Sequence, residues 1–295
     1  MRIVVTGREG QVARSLVERA LGGVEILCLG RPTLDLAGGT SEIVSTLKAV
    51  QPDVIVSAAA YTQVDKAEIE AELAFAVNEQ GPRSLAIAAR ECSVPLVHLS
   101  TDYVFDGRKA EPYVEGDATG PASIYGASKL AGEQAVLAEH DNCAVLRTAW
   151  VYSPFGSNFV KTMLRLAGER NEVAVVADQR GNPTSALDIA DGILSVAANL
   201  RASDDPLQRG IFHMTAAGEA TWAEFAEVVF ASSADMHGPS AHVKRIGSAD
   251  YPTAAKRPCN SRLNCAKLER THGVRLPEWR QSVMTVVSRL LRSAG

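Results

Sequence analysis

A chain of 295 residues with 46% apolar and 22% charged side chains holds enough material for a large core and has the make-up of an ordinary globule. Its formal net charge of −4 argues against a general nucleic-acid or membrane surface, so no nucleic acid and no membrane is expected as a partner. The charge is uneven: residues 243–295 carry 11 Lys and Arg against 3 Asp and Glu, a local +8 beside −12 for the remainder.

The first β-branched run, "IVVTG" at 3–7, reads as a strand, and "GQVARSLVERAL" at 10–21 reads as the helix behind it. "EILCLG" (25–30), "DVIVSAAA" (53–60), "PLVHLST" (95–101) and "CAVLRTAWVY" (143–152) follow as strands, with helical patterns at 73–91 and 125–140 between them. Strands that are apolar throughout and separated by helices imply a parallel sheet covered on both faces, a doubly wound α/β fold. After Val151 the rhythm loosens into "VAVVAD" (173–178) and "GIFHMT" (210–215) as strands and "TWAEFAEVVFASS" (221–233) as a helix, among Gly- and Pro-rich turns.

Between the first strand and its helix stands Gly7-x-x-Gly10-x-x-Ala13. Gly7 permits a tight turn, Gly10 lets backbone approach a pyrophosphate at the helix N-terminus, and small Ala13 allows close helix–strand packing. The second strand ends in Gly30 and Arg31 where an acidic residue for ribose hydroxyls would otherwise stand. Arg31 is suited to a 2′-phosphate, or is a surface arginine in a loop, and Asp35 is suited to an adenine amino group. Residues 1–150 are therefore expected to form an NADP-binding Rossmann unit, completed by 173–200 and 210–216. Residues 151–295 are expected to form mainly a smaller, interleaved C-terminal substrate-binding lobe.

Ala58–Ala60 after the third strand let a flat ligand lie close to backbone, or simply pack on a helix. Ser100, Thr101 and Asp102 end another strand, at the edge where open α/β sheets place ligands. Tyr125 and Lys129 are four apart on a helix and share one face, so a phenol and an ammonium address one small object together. A neighbouring ammonium favours phenolate and is expected to lower the Tyr125 pKa, making a tuned acid. The six histidines form no i,i+4 ligand pair, His98 and His213 read as packed core residues, and no metal site is expected. Five cysteines without a C-x-x-C pair fit a reducing compartment, and with no leader or membrane-spanning run the expected location is cytoplasmic.

The motifs "TGREGQ", "STDYVF" and "YGASKLAGE" resemble the extended short-chain dehydrogenase/reductases. More narrowly, "AAAYTQVDKAE", "STDYVFDG", "RTAWVYSPFGSNFVKTMLRLA", "DQRGNPT", "YPTAAKRPCNSRLN" and "LPEW" resemble the dTDP-4-dehydrorhamnose reductases over nearly the whole chain. That resemblance implies reduction of a nucleotide sugar's C4 ketone with NADPH, NADH being possible. It implies Thr101, Tyr125 and Lys129 as the catalytic set, with Lys129 also holding the nicotinamide ribose. Cofactor contacts would fall on Gly7, Gly10, Gln11, Val12, Arg31, Asp35, Leu36, Ala60, Tyr61, Thr62, Tyr125 and Lys129, and substrate contacts on Thr101, Asp102 and Trp150. Some relatives form metal-bridged dimers through an acidic residue on the first helix, where this chain has Arg14 and Ser15, so a monomer or weak homodimer is expected. Another extended short-chain reductase or epimerase acting on a nucleotide sugar, and a catalytically silent regulatory subunit of the same fold, are the competing readings.

The substrate's diphosphate needs a cationic receiver on an acidic body. Arg257 and Arg262 in the basic segment are expected to supply it, their alternative being structural ion pairs.

Overall fold

The computed structural model describes residues 1–292; the last three residues of the expected C-terminal lobe lie outside the described residues. The first half runs β1 (Arg2–Thr6), α1 (Gln11–Arg19), β2 (Glu25–Leu29), α2 (Thr40–Val50), β3 (Val54–Ser57), α3 (Val64–Ala67), α4 (Ala71–Phe75), α5 (Gly81–Cys92), β4 (Leu96–Thr101), α6 (Ile124–Glu139) and β5 (Cys143–Thr148). The second half runs β6 (Val151–Tyr152), α7 (Phe159–Glu169), β7 (Glu172–Val176), β8 (Arg180–Gly181), β9 (Thr184–Ser185), α8 (Ala186–Ala202), β10 (Gly210–His213), β11 (Ala216–Ala217), β12 (Ala220–Thr221), α9 (Trp222–Ala234), β13 (His242–Ile246), α10 (Ala266–His272), β14 (Leu276–Glu278) and α11 (Trp279–Arg292).

Six strands pair in the order β10-β5-β4-β3-β1-β2, all parallel. Alternation along each strand sends side chains to opposite faces. Ile3 and Val5 pack with Leu16 of α1 and Ile193 of α8 on one face, whereas Val4 packs with Leu47 of α2 and Leu85 of α5 on the other. This is the doubly wound α/β class, and the strand order reverses between β1 and β3, where such sheets open a crevice. Gly7, at φ +94°, makes the turn there, and a side chain on it would press on Ala59 of the neighbouring crossover.

The second half departs from its sequence pattern in several places. β7, expected among the segments completing the large sheet, instead pairs in parallel with β13 outside it, while β10 is the sheet's edge strand and α8 packs on α1. Helices α7, α8 and α11 are absent from the sequence reading. α7 and α11 each bury one face and join α9 around Tyr152, Phe225 and Trp279 in a second core. The run 143–152, read as one strand, breaks at Trp150, which holds the strained φ of 48°. The helical run 73–91 is interrupted by a π-helical turn at Ala76–Gln80.

Candidate active site

α6 starts where the Ser123 hydroxyl accepts from the Gly126 amide at 3.2 Å, capping its first turn. The helix lies hard against its neighbours: a methyl on Gly132 would stand 2.0 Å from the Asn78 carbonyl oxygen. The side chain of Asn78, on the π-helical turn, accepts from the Tyr61 amide (2.8 Å) and donates to the Tyr61 carbonyl (3.1 Å) and to Ser128 Oγ (3.0 Å). The loop after β3 is thereby locked to α6. On the other side, Thr6 Oγ1 accepts from the amides of Ala58 and Ala59, both at 3.0 Å.

These contacts frame a cleft of about 1140 Å³ along the carboxyl ends of the strands. Gly7, Gly10, Gln11, Val12, Arg31, Asp35, Leu36, Ala60, Tyr61, Thr62, Tyr125 and Lys129 all line it. A dinucleotide fits this cradle on chemical grounds. The space beside the Gly10 Cα is open, and Thr148 Oγ1 on the wall is buried with no hydrogen-bond partner among the described residues. Arg8 and Arg31 stand exposed at its rim, and neither makes an ion pair with another described residue. Sequence reasoning missed Arg8, Asn78 and Thr148; Arg8, lying between the two glycines, carried a legible signal.

Of the residues expected to be catalytic, Tyr125 and Lys129 line this cleft and Thr101 stands beside Tyr125. Thr101 Oγ1 donates to Asp102 Oδ1 at 2.9 Å and accepts from the Tyr103 amide at 3.2 Å. Tyr125 is half-buried in the wall of the cleft, and burial, with the Asp102 charge near it, pushes its pKa up to about 12. The expected lowering by Lys129 is therefore corrected: the Lys129 ammonium donates to the Leu99 carbonyl at 2.7 Å, and desolvation of the phenolate sets the direction of the shift. At neutral pH Tyr125 is a held proton, which suits a donor. Burial likewise pushes Lys129 down to about 8 and Asp102 up to about 6.

The expected substrate residues separate. Thr101 and Asp102 are joined to Tyr125. Trp150 turns toward the second core, stacked on Trp222 at 3.6 Å, and a side chain on Gly181 would collide with its indole. Arg257 is ion-paired to Asp65 at 2.7 Å and lies near Tyr103, whose ring meets that of Tyr125 edge-on at 5.7 Å. Arg262 is committed to Glu219 (2.7 Å), Asn260 Oδ1 (2.8 Å) and the Ala110 carbonyl, so the structure does not bring it to the cleft. His98 and His213 are fully buried; His98 meets Ser57 Oγ at 2.9 Å and His213 meets the Tyr113 carbonyl at 3.1 Å. No cluster of three or more His, Cys, Asp or Glu able to hold a metal occurs among the described residues, and no helix among them is long and apolar enough to cross a membrane.

Comparison with known proteins agrees with this geometry. The family model of the RmlD substrate binding domain matches residues 1–292. The chain is 53% identical to a dTDP-4-dehydrorhamnose reductase of Sinorhizobium fredii, over 99% of this chain and 98% of that one. It superposes on a dTDP-4-dehydrorhamnose reductase from Clostridium acetobutylicum with a TM-score of 0.92 at 36% identity, covering 99% and 100% of the two chains. A dTDP-4-dehydrorhamnose reductase from Bacillus anthracis, crystallised in complex with NADP, superposes with a TM-score of 0.90 at 34% identity, covering 98% and 99%.

Proposed function

The chain belongs to the dTDP-4-dehydrorhamnose reductase family, and on that premise we infer how its own residues carry the reaction. It is an NAD(P)H-dependent oxidoreductase that reduces the C4 ketone of dTDP-4-dehydro-6-deoxy-L-mannose to dTDP-L-rhamnose, a precursor of cell-surface polysaccharide. The observation that supports the residue assignment best is Tyr125, one turn from Lys129 and beside Thr101, on the wall of a cleft that accepts a dinucleotide.

When bound, NADPH supplies the hydride. Tyr125 donates its phenolic proton to the oxygen that becomes the C4 hydroxyl, and Thr101 holds that oxygen in place. Lys129 holds the nicotinamide ribose, the Gly7–Val12 turn takes the pyrophosphate, and Ala60–Thr62 lie against the cofactor on the β3 side. Asp35 and Leu36 border the adenine, with Arg31 at the 2′-phosphate. Asp102 binds the sugar, Trp150 flanks it from the second core, and Arg257 receives the diphosphate. Residues 1–150 with α8 and β10 serve the cofactor, and most of 151–295 serves the sugar. The reaction runs in the cytoplasm, on a monomer or weak homodimer.

The test is substrate-dependent NADPH oxidation by the purified chain, with the product identified by NMR. Oxidation that yields dTDP-L-rhamnose is expected. A product epimerised without net NADPH consumption, or no turnover at all, would overturn the reading.

A further inference from the structure

Behind the catalytic face of α6 lies a buried charge cluster with no place in the reaction described above. Glu133, one turn beyond Lys129, is 1% exposed. Its Oε1 accepts from Ser100 Oγ on β4 and from Arg147 Nε on β5 (2.9 Å), and its Oε2 accepts from Arg147 Nη2 (2.7 Å). Arg147, 2% exposed, lies over the Phe105 ring at 5.0 Å. A buried ion pair is a poor source of stability, because desolvating both charges offsets most of their attraction. Apolar side chains of the same volume would fasten α6 to the sheet at least as well. What apolar residues cannot supply is a fixed negative charge one helical turn from a buried ammonium.

Lys129 needs one. It is 3% exposed, and a desolvated ammonium gives up its proton readily. The groups around it are Tyr125 and Glu133 on its own helix, His98 and the Leu99 carbonyl on β4, and Arg147 on β5 behind Glu133. Burial and the Lys129 charge hold His98 neutral, and the Leu99 carbonyl offers only a dipole. The carboxylate whose field supports the Lys129 charge is Glu133.

We propose that Glu133 is a positioning residue: pinned between β4 and β5 one helical turn from Lys129, it keeps the ammonium on the cleft wall charged. The proposal rests on the assignment of Lys129 to the reaction. Loss of the Lys129 proton removes the charge that holds the nicotinamide ribose, so Glu133 sets the alkaline boundary of the enzyme's working range.

The experiment compares wild type, Glu133→Gln and Lys129→Met, reading kcat and, independently, NADPH affinity by nucleotide fluorescence from about pH 6 to about pH 10. Glu133→Gln keeps the side chain's shape and removes its charge. It should move the alkaline limb of both profiles to lower pH by about one unit or more, the size expected from losing a nearby counter-charge. A merely structural bolt would lower the melting temperature and leave both limbs where they are, and that result overturns the proposal. If Glu133→Gln does not fold because Arg147 is left without its counter-charge, the double variant Glu133→Gln, Arg147→Met removes both buried charges. Its limb should shift the same way by less, and an unmoved limb is equally fatal. Lys129→Met separates the two levels. Wild-type turnover and affinity in that variant would defeat the assignment of Lys129 itself, whereas an impaired Lys129→Met beside an unmoved Glu133→Gln limb defeats only the role of Glu133.

Discussion

Arg257 Nη2 lies 2.7 Å from Asp65 Oδ2, joining residues 192 apart in sequence, and the other oxygen of that carboxylate accepts from the Ala255 amide at 3.0 Å. The loop before Asn260 is thereby clasped to α3, with Arg257 close to Tyr103 and one aromatic ring from Tyr125. The pair is half exposed on its aspartate side, so its net worth is small and the arginine exchanges partners easily. Arg257→Ala should raise the substrate KM about tenfold with NADPH affinity unchanged, and the wild-type KM should rise with ionic strength. Asp65→Ala, which frees the arginine, should leave KM level or lower it. Equal melting losses in both variants with KM unmoved would make the pair a brace and nothing more.

Arg262 behaves differently because every edge of its guanidinium is taken. Its Nε donates to Asn260 Oδ1, its Nη1 to Glu219, and its Nη2 to the Ala110 carbonyl. Arg262→Ala should lower stability by about 1–2 kcal/mol, the range for losing charge-assisted bonds that tie loops together, and leave the substrate KM within error of wild type. Denaturant melts beside steady-state kinetics decide it; a raised KM without a stability loss would return Arg262 to the diphosphate.

Tyr125→Phe removes one oxygen from a site whose packing is otherwise kept. Turnover should fall by about two to four decades, the usual contribution of a positioned general acid, while NADPH affinity and melting temperature stay close to wild type. Wild-type-like turnover in the purified variant would end the assignment of Tyr125 as proton donor.

Two exposed guanidiniums at the ends of β1 and β2, with glycine at position 30 where an acid would repel phosphate, predict a preference for NADPH. Arg31→Ala and Arg8→Ala should each weaken NADPH binding by about ten- to a hundredfold, and NADH binding by at most about twofold. Titration of both cofactors by fluorescence checks this. Parallel losses for the two cofactors would place these arginines on the shared pyrophosphate rather than the 2′-phosphate.

Much of this architecture is legible in the sequence because its determinants are local. Uniformly apolar runs such as "DVIV" announce a sheet covered on both faces, Gly7 and Gly10 announce a phosphate-approaching turn, and Tyr125 with Lys129 announces itself by helical spacing. What stays hidden depends on segments far apart in the chain. β7 looks like a sheet strand but finds β13 some seventy residues on, since a β-branched run specifies a strand and not its partner. Arg257 and Arg262 read either as phosphate receivers or as structural ion pairs until Asp65 and Glu219 are seen folded against them. A neighbouring charge alone points the Tyr125 pKa downward, and burial, a property of the whole packed site, reverses that direction.

Asp102 offers the clearest pH signature. It is 2% exposed; its Oδ1 accepts from Thr101, and its Oδ2 is buried without a close hydrogen bond, beside Ser261. Desolvation pushes its pKa from the ordinary 3.8 up to about 6, against the lowering effect of the hydroxyls near it. With a folded value above the unfolded one, the group's contribution to stability is complete below about pH 4 and is lost as pH rises through about 6. Ionisation in the folded state then costs about 3 kcal/mol above pH 6, because each tenfold change in a protonation equilibrium corresponds to roughly 1.4 kcal/mol. Asp102→Asn imitates the protonated side chain and escapes that cost. The variant should therefore be more stable than wild type at neutral pH, and the gap should close as pH falls toward about 4. Its substrate KM should rise, Asp102 being the carboxylate proposed above to bind the sugar. Denaturant melts of both proteins at several pH values give the difference directly. A gap that is constant with pH would mean that Asp102 does not carry a displaced proton, and a less stable variant at neutral pH would mean that its hydrogen bonds prevail over its burial.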